Sequence, residues 1–192
     1  MVQRARVVVV GAGFAGLAAT KELARTGALV TLVDRNPYAT FQPLLYQVAT
    51  AGMGASDVSY PIRTFTARWP NVRSRRAGLS KVLPGERRVE FEDGSGLDYD
   101  YLVLATGVTT NWLGVSGAQD NALPIYSLRD AAAVRDRLGQ QLEDIALGRR
   151  QSTHVVVVGG GATGVEMAGT LAELRRRTLP LTIRRSHPAR PA

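Results

Sequence analysis

The stretch that decides the fold is ARVVVVGAGFAGLAATKELARTGALVTLVDR, residues 5–35. Its continuous apolar run, residues 7–10, has the pattern of a strand buried on both faces of a parallel sheet. A glycine-rich turn ends that run, and the alanine-rich segment 14–25 favours a helix. Gly27 then predicts the end of the helix, and the apolar run 29–33 predicts a second strand. The stretch therefore predicts a strand–helix–strand unit of an α/β fold.

Three glycines in the spacing Gly-x-Gly-x-x-Gly lie at the first strand-to-helix turn. Gly11 allows the tight turn, Gly13 lets a pyrophosphate approach the backbone, and Gly16 lets helix and strand pack closely. The N-terminus of the helix offers N–H groups and a positive dipole end to the phosphates. Asp34, 18 residues after Gly16, ends the second strand, where a carboxylate can accept a hydrogen bond from a ribose 2′-hydroxyl. The pattern predicts a dinucleotide site; the alternative is an ordinary glycine turn with Asp34 as a solvated strand end.

The composition excludes several classes of protein. The chain has 192 residues, enough for one domain or one domain and part of another, and 45% of them are hydrophobic. It contains no cysteine, which excludes disulfides, thiolate metal sites and a dithiol relay. With only His154 and His187 as imidazoles, no metal site is expected. No apolar run is long enough to span a bilayer, and the first residues lack a signal-peptide pattern.

The net charge of +8 comes from one end of the chain. Residues 175–192 hold six arginines and no acid, while the other 174 residues carry 18 basic and 16 acidic side chains. The folded part is therefore nearly neutral, and it shows no nucleic-acid-binding motif. We expect no nucleic-acid partner.

The middle of the chain predicts a mixture of loops and short strands. Residues 41–48, FQPLLYQV, fit neither a clean strand nor a clean helix, and predict either a loop and short helix lining the cofactor or a core-packing connection. Residues 59–69 predict a short helix with Pro61 in its first turn. Residues 72–89 predict two strands joined by a turn at 84–86, and 89–99 a further hairpin. Residues 101–107 predict another buried parallel strand, and a loop follows.

A second glycine motif begins about 148 residues after the first. Ser127 and Asp130 have the spacing of a helix N-cap, and a long amphipathic helix is predicted from there to about residue 147. The apolar run 154–158 then leads into Gly159-Gly-Gly161-Ala-Thr-Gly164 and a helix-favouring segment from 165 to 174. This second strand, turn and helix predict a second dinucleotide unit. No acid follows at the spacing expected for its ribose.

Two glycine motifs with a small strand-rich region and a linking helix between them resemble the two-dinucleotide flavoprotein reductases. Three segments narrow the resemblance: FQPLLYQVAT (41–50), YDYLVLATG (99–107) and GGGATGVE (159–166). Together they resemble the type II NADH dehydrogenases, the non-proton-pumping NADH:quinone oxidoreductases, over roughly residues 5–178. The resemblance implies FAD on the first unit and NADH on the second. The related disulfide reductases carry a cysteine pair that this chain lacks.

The resemblance also implies site residues. Those matching the FAD-binding positions of the family are Gly11, Ala12, Gly13, Phe14, Gly16, Asp34, Arg35, Thr106 and Gly107. Those matching the segment beside the flavin ring and the quinone approach are Gln42, Pro43 and Leu44. Those matching the NADH pyrophosphate positions are Gly159, Gly161 and Gly164. Glu166 matches the acid placed near nicotinamide and flavin, although an acid early in a helix also suits the helix dipole.

The implied reaction is hydride transfer from NADH to FAD, followed by electron transfer to a membrane quinone, with orientation and electrostatics supplied by the protein. Two alternatives stay open: a flavoprotein reductase of an iron–sulfur protein, and a non-catalytic FAD-binding fragment. The implied location is the cytoplasm, at or near the inner face of the cell membrane. Peripheral membrane association is expected of the full-length family, and a homodimer stays open.

The implied organisation is an FAD-binding Rossmann-type three-layer fold with a small β-rich insertion, and the first strand and helix of a second Rossmann domain. We predict the FAD-binding domain at 1–126, a linking helix at 127–150, the start of the NADH domain at 151–178 and an irregular basic tail at 179–192. The family is roughly twice as long as this chain and ends in membrane-binding helices. The proline- and arginine-rich end therefore suggests a truncated or frame-shifted chain whose last 14 or so residues are out of register.

Overall fold

A computed structural model describes residues 4–182 of the chain. They form two compact units: one contains the residues up to 40 together with 59–109, and the other contains 41–58 together with the residues from 110 onward. Both α-helices and a parallel sheet are present, so the predicted α/β class is confirmed. The domain boundaries predicted at residues 126, 150 and 178 remain predictions.

The helices and strands of the described residues are as follows. The strands are β1 Arg6–Val10, β2 Leu29–Asp34, β3 Tyr38–Thr40, β4 Ser59–Pro61, β5 Val72–Arg76, β6 Leu79–Leu83, β7 Arg88–Phe91, β8 Gly96–Asp98 and β9 Tyr101–Leu104. The α-helices are α1 Phe14–Ala24, α2 Leu45–Ala49, α3 Ile62–Thr66, α4 Ala118–Asn121, α5 Leu128–Ala146, α6 Ala162–Glu173 and α7 Leu179–Thr182. Short 3₁₀ turns lie at Gln42–Leu44, Ala55–Val58 and Pro84–Glu86, and a π-helical turn at Leu174–Thr178.

The first unit is built on a parallel sheet with the strand order β5–β2–β1–β9. One face of this sheet packs against α1 and α3, through Ala24 and Ile62. The other face packs against the antiparallel sheet β6–β7–β8, through Val89 and Phe91. Because alternate residues of β1 enter opposite cores, all four valines at positions 7–10 are buried. Each of them contributes on the order of 1.5–3 kcal/mol through burial. This confirms the predicted strand–helix–strand unit.

Strand β9 lies at the edge of the sheet and is less buried than its sequence predicts. It pairs with β1 in parallel, as predicted. However, Tyr101 and Leu104 are 66% and 57% exposed. The apolar character of a strand predicts that it joins a sheet, but not whether a neighbour covers its second edge. At the start of the pair, the backbone N–H of Arg6 donates to the Asp100 carboxylate (2.7 Å), and the two side chains also pair.

The segment 59–69 forms a strand before its helix, so the predicted single helix is wrong at its start. Residues Ser59–Pro61 pair antiparallel with β3, and α3 begins only at Ile62. Pro61 is the N-cap residue, in an extended conformation, rather than a member of the first turn. Long-range pairing with β3 decides this boundary, and local sequence carries no signal for it.

The predicted pair of strands in 72–89 is three strands in the structure. Strand β5 pairs in parallel with β2, and β6 and β7 form the hairpin around the predicted turn at Pro84–Glu86. The hairpin β7–β8, with Gly94 in its turn, is confirmed. The hydrophobic pattern indicated strands here but did not separate β5 from β6, and it did not give the partner of β5, since that depends on the distant strand β2.

The second unit contains the long helix α5, which begins as predicted. The hydroxyl of Ser127 accepts a hydrogen bond from the Asp130 N–H (3.2 Å), and the Asp130 carboxylate accepts one from the Ser127 N–H (2.8 Å). This capping box satisfies N–H groups that otherwise lack helical partners. The predicted loop after β9 is largely irregular and contains only the short helix α4.

The apolar run 154–158 is not a strand, so this prediction is wrong for the described chain. Val155, Val156 and Val158 are 47%, 83% and 87% exposed, whereas Val157 packs against the core of the second unit. A strand needs a neighbour to pair with its N–H and C=O groups, and no described segment pairs with this run. The helix after it, α6, starts at Ala162, three residues before the predicted start.

The end of the chain is described only in part. Helix α7, Leu179–Thr182, corrects the first four residues of the predicted irregular tail, and residues 183–192 lie outside the described part. Among residues 4–182, no helix combines the length and the apolar character that crossing a bilayer requires.

Candidate functional site

The first glycine turn connects β1 to α1 in the tight form that its sequence predicts. Gly11 has φ +102°, and the carbonyl oxygen of Ala105, after β9, leaves no room for a Cβ atom there. A Cβ atom on Gly16 would overlap the carbonyl oxygen of Gly11. The Gly11 N–H donates to the Val33 carbonyl of β2 (2.7 Å). Both glycines are therefore required by close backbone packing.

Gly13 faces open space at the start of α1. It is the N-cap residue (φ −78°, ψ −168°), and no atom lies within 4 Å of the position that its Cβ would occupy. Among the described residues, no side chain caps this helix, and its first turn contains no acid. A helix N-terminus with these properties can bind an anionic group through its N–H groups. The turn therefore fits a pyrophosphate.

Asp34 is held in place by backbone N–H groups. Its Oδ2 accepts a hydrogen bond from the Ala12 N–H (2.7 Å), and its Oδ1 accepts one from the Asn36 N–H (2.8 Å). The first of these bonds ties the end of β2 to the glycine turn. The sequence spacing placed Asp34 at the end of β2, but not this bond to Ala12, which is visible only in the structure.

The remaining positions matched to FAD in the first unit lie near the same edge of the sheet. Thr106 and Gly107 follow β9 and are exposed, with Gly107 at φ +73°. Arg35 is exposed, and its carbonyl accepts a hydrogen bond from Arg76 Nε (3.2 Å). Because β1, β2 and β9 are parallel, their carboxyl ends meet at one edge, where α/β proteins bind ligands.

The second glycine turn reproduces the backbone of the first. Gly159 has φ +107°, and a Cβ atom on Gly164 would overlap the Gly159 carbonyl oxygen, the same relation as between Gly16 and Gly11. Gly161 is the N-cap residue of α6 (φ −72°, ψ 174°) and, like Gly13, faces open space. The described residues supply neither a side-chain cap nor a first-turn acid to α6. This turn also fits a phosphate group.

Glu166 and the segment Gln42–Leu44 both belong to the second unit. Glu166 lies on α6 after its first turn and is exposed. The amide oxygen Oε1 of Gln42 is enclosed, and no described group donates a hydrogen bond to it. Leu44 packs against the core of the unit, and Pro43 is exposed. The structure thus gathers the positions matched to FAD at 11–16, 34–35 and 106–107 in one unit, and the other matched positions in the second.

The described residues contain no group of three or more histidine, cysteine, aspartate or glutamate side chains that could hold a metal ion. Two carboxylates, those of Asp93 and Asp100, have a lowered pKa, and neither residue belongs to a glycine turn. The hydrogen bond from the Arg6 N–H, with the Arg6 side chain, lowers the pKa of Asp100 below its usual value. The hydroxyl and N–H of Ser95 similarly lower the pKa of Asp93. These groups stabilise strands and are not part of the site.

Comparison with known proteins identifies the family. The pyridine nucleotide-disulphide oxidoreductase family matches residues 5–191. The chain belongs to this family.

Its relatives include the type II NADH:quinone oxidoreductase Ndh of Mycobacterium tuberculosis, 34% identical over 185 residues that cover 92% of this chain and 40% of that protein. The mitochondrial external alternative NAD(P)H-ubiquinone oxidoreductase B3 of Arabidopsis thaliana is 33% identical, with 88% of this chain and 32% of that protein covered. These names confirm the resemblance to type II NADH dehydrogenases. The chain spans 32–40% of the length of these two relatives.

A solved structure with a similar fold is that of NDH2 from Plasmodium falciparum in complex with NADH. It superposes with a TM-score of 0.85 at 23% sequence identity, over 94% of this chain and 39% of that one. At this identity the likeness establishes the fold. It confirms the predicted Rossmann-type fold.

Proposed function

We propose that this chain takes part in NADH-dependent oxidoreduction, with FAD held by the first glycine turn and NADH by the second. The observation that carries the proposal is the shared backbone of the two turns. Each has a left-handed glycine at its first position, open space at its second, and a third glycine packed on the carbonyl of the first. Two such turns in one chain indicate two bound dinucleotides. Membership of the pyridine nucleotide-disulphide oxidoreductase family indicates that the reaction is an oxidoreduction.

The first unit fits FAD in its backbone and in its carboxylate. Gly11, Gly13 and Gly16 would hold the pyrophosphate against the start of α1. Asp34 would accept a hydrogen bond from the adenosine ribose, since each carboxylate oxygen keeps a lone pair beside its backbone donor. Thr106 and Gly107 would lie along the cofactor, as would Ala12, Phe14 and Arg35. When bound, the flavin supplies the hydride and electron chemistry, and these residues fix its position.

The second unit would bind NADH and hold the residues closest to the reaction. Gly159, Gly161 and Gly164 would hold the NADH pyrophosphate at the start of α6. Glu166 would orient the nicotinamide, acting as a fixed negative charge on a helix that is itself anchored in the core. The enclosed oxygen of Gln42 would accept a hydrogen bond from a bound group, because a buried acceptor without a donor costs about 1–3 kcal/mol.

The proposed electron acceptor is a quinone, reached beside Gln42, Pro43 and Leu44. The names of the relatives support a quinone, and the absence of cysteine from the sequence excludes a dithiol acceptor within the chain. A quinone acceptor would bring the protein to a membrane surface. We place it there, on the cytoplasmic side.

One observation favours a second candidate function, that of an FAD-binding module without turnover. The run before the second turn is unpaired in the described structure and, apart from Val157, mostly exposed, whereas a Rossmann nucleotide site is built on a strand paired within a sheet. In that case FAD would bind and NADH would not reduce it.

An anaerobic absorption spectrum separates the two candidates. The protein as purified, or after incubation with FAD, is expected to be yellow, and added NADH is expected to bleach the flavin band. Reoxidation by a soluble quinone, compared with an iron–sulfur protein, then tests the acceptor. Yellow protein that NADH does not bleach would support the module without turnover, and colourless protein would contradict both functions.

A paired set of variants connects this spectrum to the turns. Gly164→Ala introduces a Cβ atom against the Gly159 carbonyl, whereas Gly169→Ala, on the same helix α6, places one in open space. We expect Gly164→Ala to abolish bleaching by NADH while FAD stays bound, and Gly169→Ala to retain it. Equal bleaching in the two variants would contradict NADH binding at the second turn.

A further inference from the structure

The second unit has a hydrophobic core that connects two segments of the proposed site. The buried members of this core come from α2, α5 and α6 and from the turn before β4: Leu45, Val48, Ala49, Val58, Ala131 and Met167. Helices α2 and α6 pack directly against each other, as do α2 and α5. The segment that ends in α2 and the helix that starts at the second glycine turn therefore share one packed interior.

The second glycine turn is anchored in this core on both sides. Val157, two residues before Gly159, packs against it, and Met167, three residues after Gly164, is only 4% exposed. Between these anchors, the glycines at 159–161 face open space, whereas Gly164 packs on the Gly159 carbonyl. A nucleotide bound at the turn would therefore act on a backbone whose two ends are fixed to the same core.

The segment Gln42–Leu44 is anchored in the same core from the other direction. Leu44 packs against it, and Leu45, the first residue of α2, is fully buried in it. Gln42 is thus three residues from a side chain that shares a cluster with Met167. Packed interiors are dense and transmit small displacements, since a side chain has little free volume into which it can move.

We propose that Met167 is a positioning residue that couples nucleotide binding at the second glycine turn to the position of Gln42–Leu44. The inference rests on the proposed binding of NADH at that turn. Binding that restrains the start of α6 restrains Met167, and Met167 in turn restrains Leu45 and the 3₁₀ turn before it. Glu166, the neighbouring residue, is exposed, so the helix presents one residue to solvent and the next to the core.

Amide hydrogen exchange of the full chain with NAD⁺ as the probe tests this coupling directly. In the unsubstituted protein, NAD⁺ is expected to slow exchange at 159–166 and also at 42–49, each by about fivefold or more, the lower end of ordinary coupling between sites. In Met167→Ala, protection at 159–166 is expected to persist, while protection at 42–49 falls to less than about twofold. A purely structural role would lower both together.

Two further variants serve as controls. Met167→Leu keeps the volume of the side chain and is expected to restore protection at 42–49. Val165→Ala changes a residue of the same helix that is 64% exposed, and is expected to behave as the unsubstituted protein. Should Met167→Ala not retain its helices by circular dichroism, Leu45→Val changes an α2 member of the same cluster, and weakened protection at 42–49 is expected there too.

The outcomes separate this inference from the proposed function. Protection at 159–166 without protection at 42–49 in the unsubstituted protein would overturn the coupling alone. So would full protection at 42–49 in Met167→Ala or, where that variant does not fold, in Leu45→Val. An absence of protection at 159–166 in the unsubstituted protein would overturn nucleotide binding at the second turn, and the coupling with it.

Discussion

The two glycine turns have the same backbone and different surroundings. In the first, the strand before the turn pairs on both sides, with β2 and β9, and a carboxylate from β2 holds the turn itself. In the second, the apolar run before the turn is unpaired among the described residues, and hydrophobic packing of α6 anchors it. The turn conformation is therefore set by the local order of glycines and helix, whereas the strand depends on partners elsewhere in the chain.

The largest expected effect comes from adding a methyl group at the third glycine of each turn. Gly16→Ala places a Cβ atom on the Gly11 carbonyl, in a turn fixed by the sheet, and is expected to lower the free energy of unfolding by about 3 kcal/mol. Gly164→Ala makes the same overlap in a turn with no paired strand to restrain it, and is expected to cost about 1 kcal/mol. Urea unfolding, with amide exchange followed separately in each unit, measures both.

The matched control for that pair is Gly169→Ala, in the interior of α6. Its Cβ atom meets nothing within 4 Å, and alanine favours a helix over glycine by about 0.5–1 kcal/mol, so stability is expected to rise. If Gly16→Ala and Gly164→Ala cost the same, the sheet would not be what makes the first turn rigid.

The next effect concerns the carboxylate of Asp34, which accepts a hydrogen bond from the first turn. Asp34→Ala removes the acceptor of the Ala12 and Asn36 N–H groups, and is expected to cost about 2 kcal/mol of stability and to weaken FAD binding. Chemical denaturation and flavin fluorescence titration measure the two quantities.

Asp57→Ala is the control for Asp34→Ala. Asp57 also accepts a backbone hydrogen bond, from the Gly54 N–H (2.8 Å), but within its own 3₁₀ turn, Ala55–Val58, and not from a glycine turn. It is expected to cost about 1 kcal/mol or less and to leave FAD affinity unchanged. Equal effects of the two substitutions on FAD affinity would argue against a role of Asp34 in the first turn.

A smaller effect, an increase in stability, is expected from a substitution on α1, the helix that follows the first turn. Thr20 is fully buried, and its hydroxyl has no hydrogen-bond partner among the described residues, whereas the equivalent residue of α6 is Ala168. Thr20→Val keeps the shape and removes the buried hydroxyl, so the free energy of unfolding is expected to rise by about 1 kcal/mol. Thermal denaturation measures it. A decrease in stability would mean that the hydroxyl is hydrogen-bonded in solution.

The smallest expected effect is a pH dependence of stability from the hydrogen bond and ion pair between Arg6 and Asp100, at the start of the β1–β9 pair. The pKa of Asp100 is lowered in the folded protein, so its contribution to stability is present above the unfolded-state pKa, about 4. That contribution is lost as the pH falls through the lower, folded-state pKa. Asp100→Asn should therefore reduce stability slightly at neutral pH and make no difference in strong acid. Chemical denaturation at neutral pH and in acid measures the difference in stability between Asp100→Asn and the unsubstituted protein. If that difference were the same at both pH values, the charge of Asp100 would not contribute to stability.

The parts of both units that could be predicted from sequence are those whose signals are local. The four buried valines, the glycine spacing, and the capping box of Ser127 and Asp130 each act over a few residues, and each appears in the structure as predicted. The positions of Gly11, Gly13, Gly16 and Asp34 in the candidate site follow from the same signals.

What could not be predicted depends on residues far apart in the chain. Strand β4 exists because it pairs with β3, and β9 is exposed because no described strand covers its outer edge. The hydrogen bond from the Ala12 N–H to Asp34 could not be predicted either, since sequence spacing places Asp34 at the end of β2 but does not say which group it contacts. The predicted strand at 154–158 is wrong for a similar reason: its apolar pattern is genuine, but a sheet requires a neighbour.

The position of β1 between β2 and β9 has a consequence for how the chain acquires its structure. β1 meets β9 through pairs such as Val7 and Tyr101, which are 94 positions apart. As the chain leaves the ribosome, β1, α1 and β2 can associate early, but the sheet is not complete until β9, Tyr101–Leu104, has been synthesised. Until then one edge of β1 has no partner, and closing so long a loop is slow. We therefore expect nascent chains that end before residue 101 to be the ones that recruit chaperones.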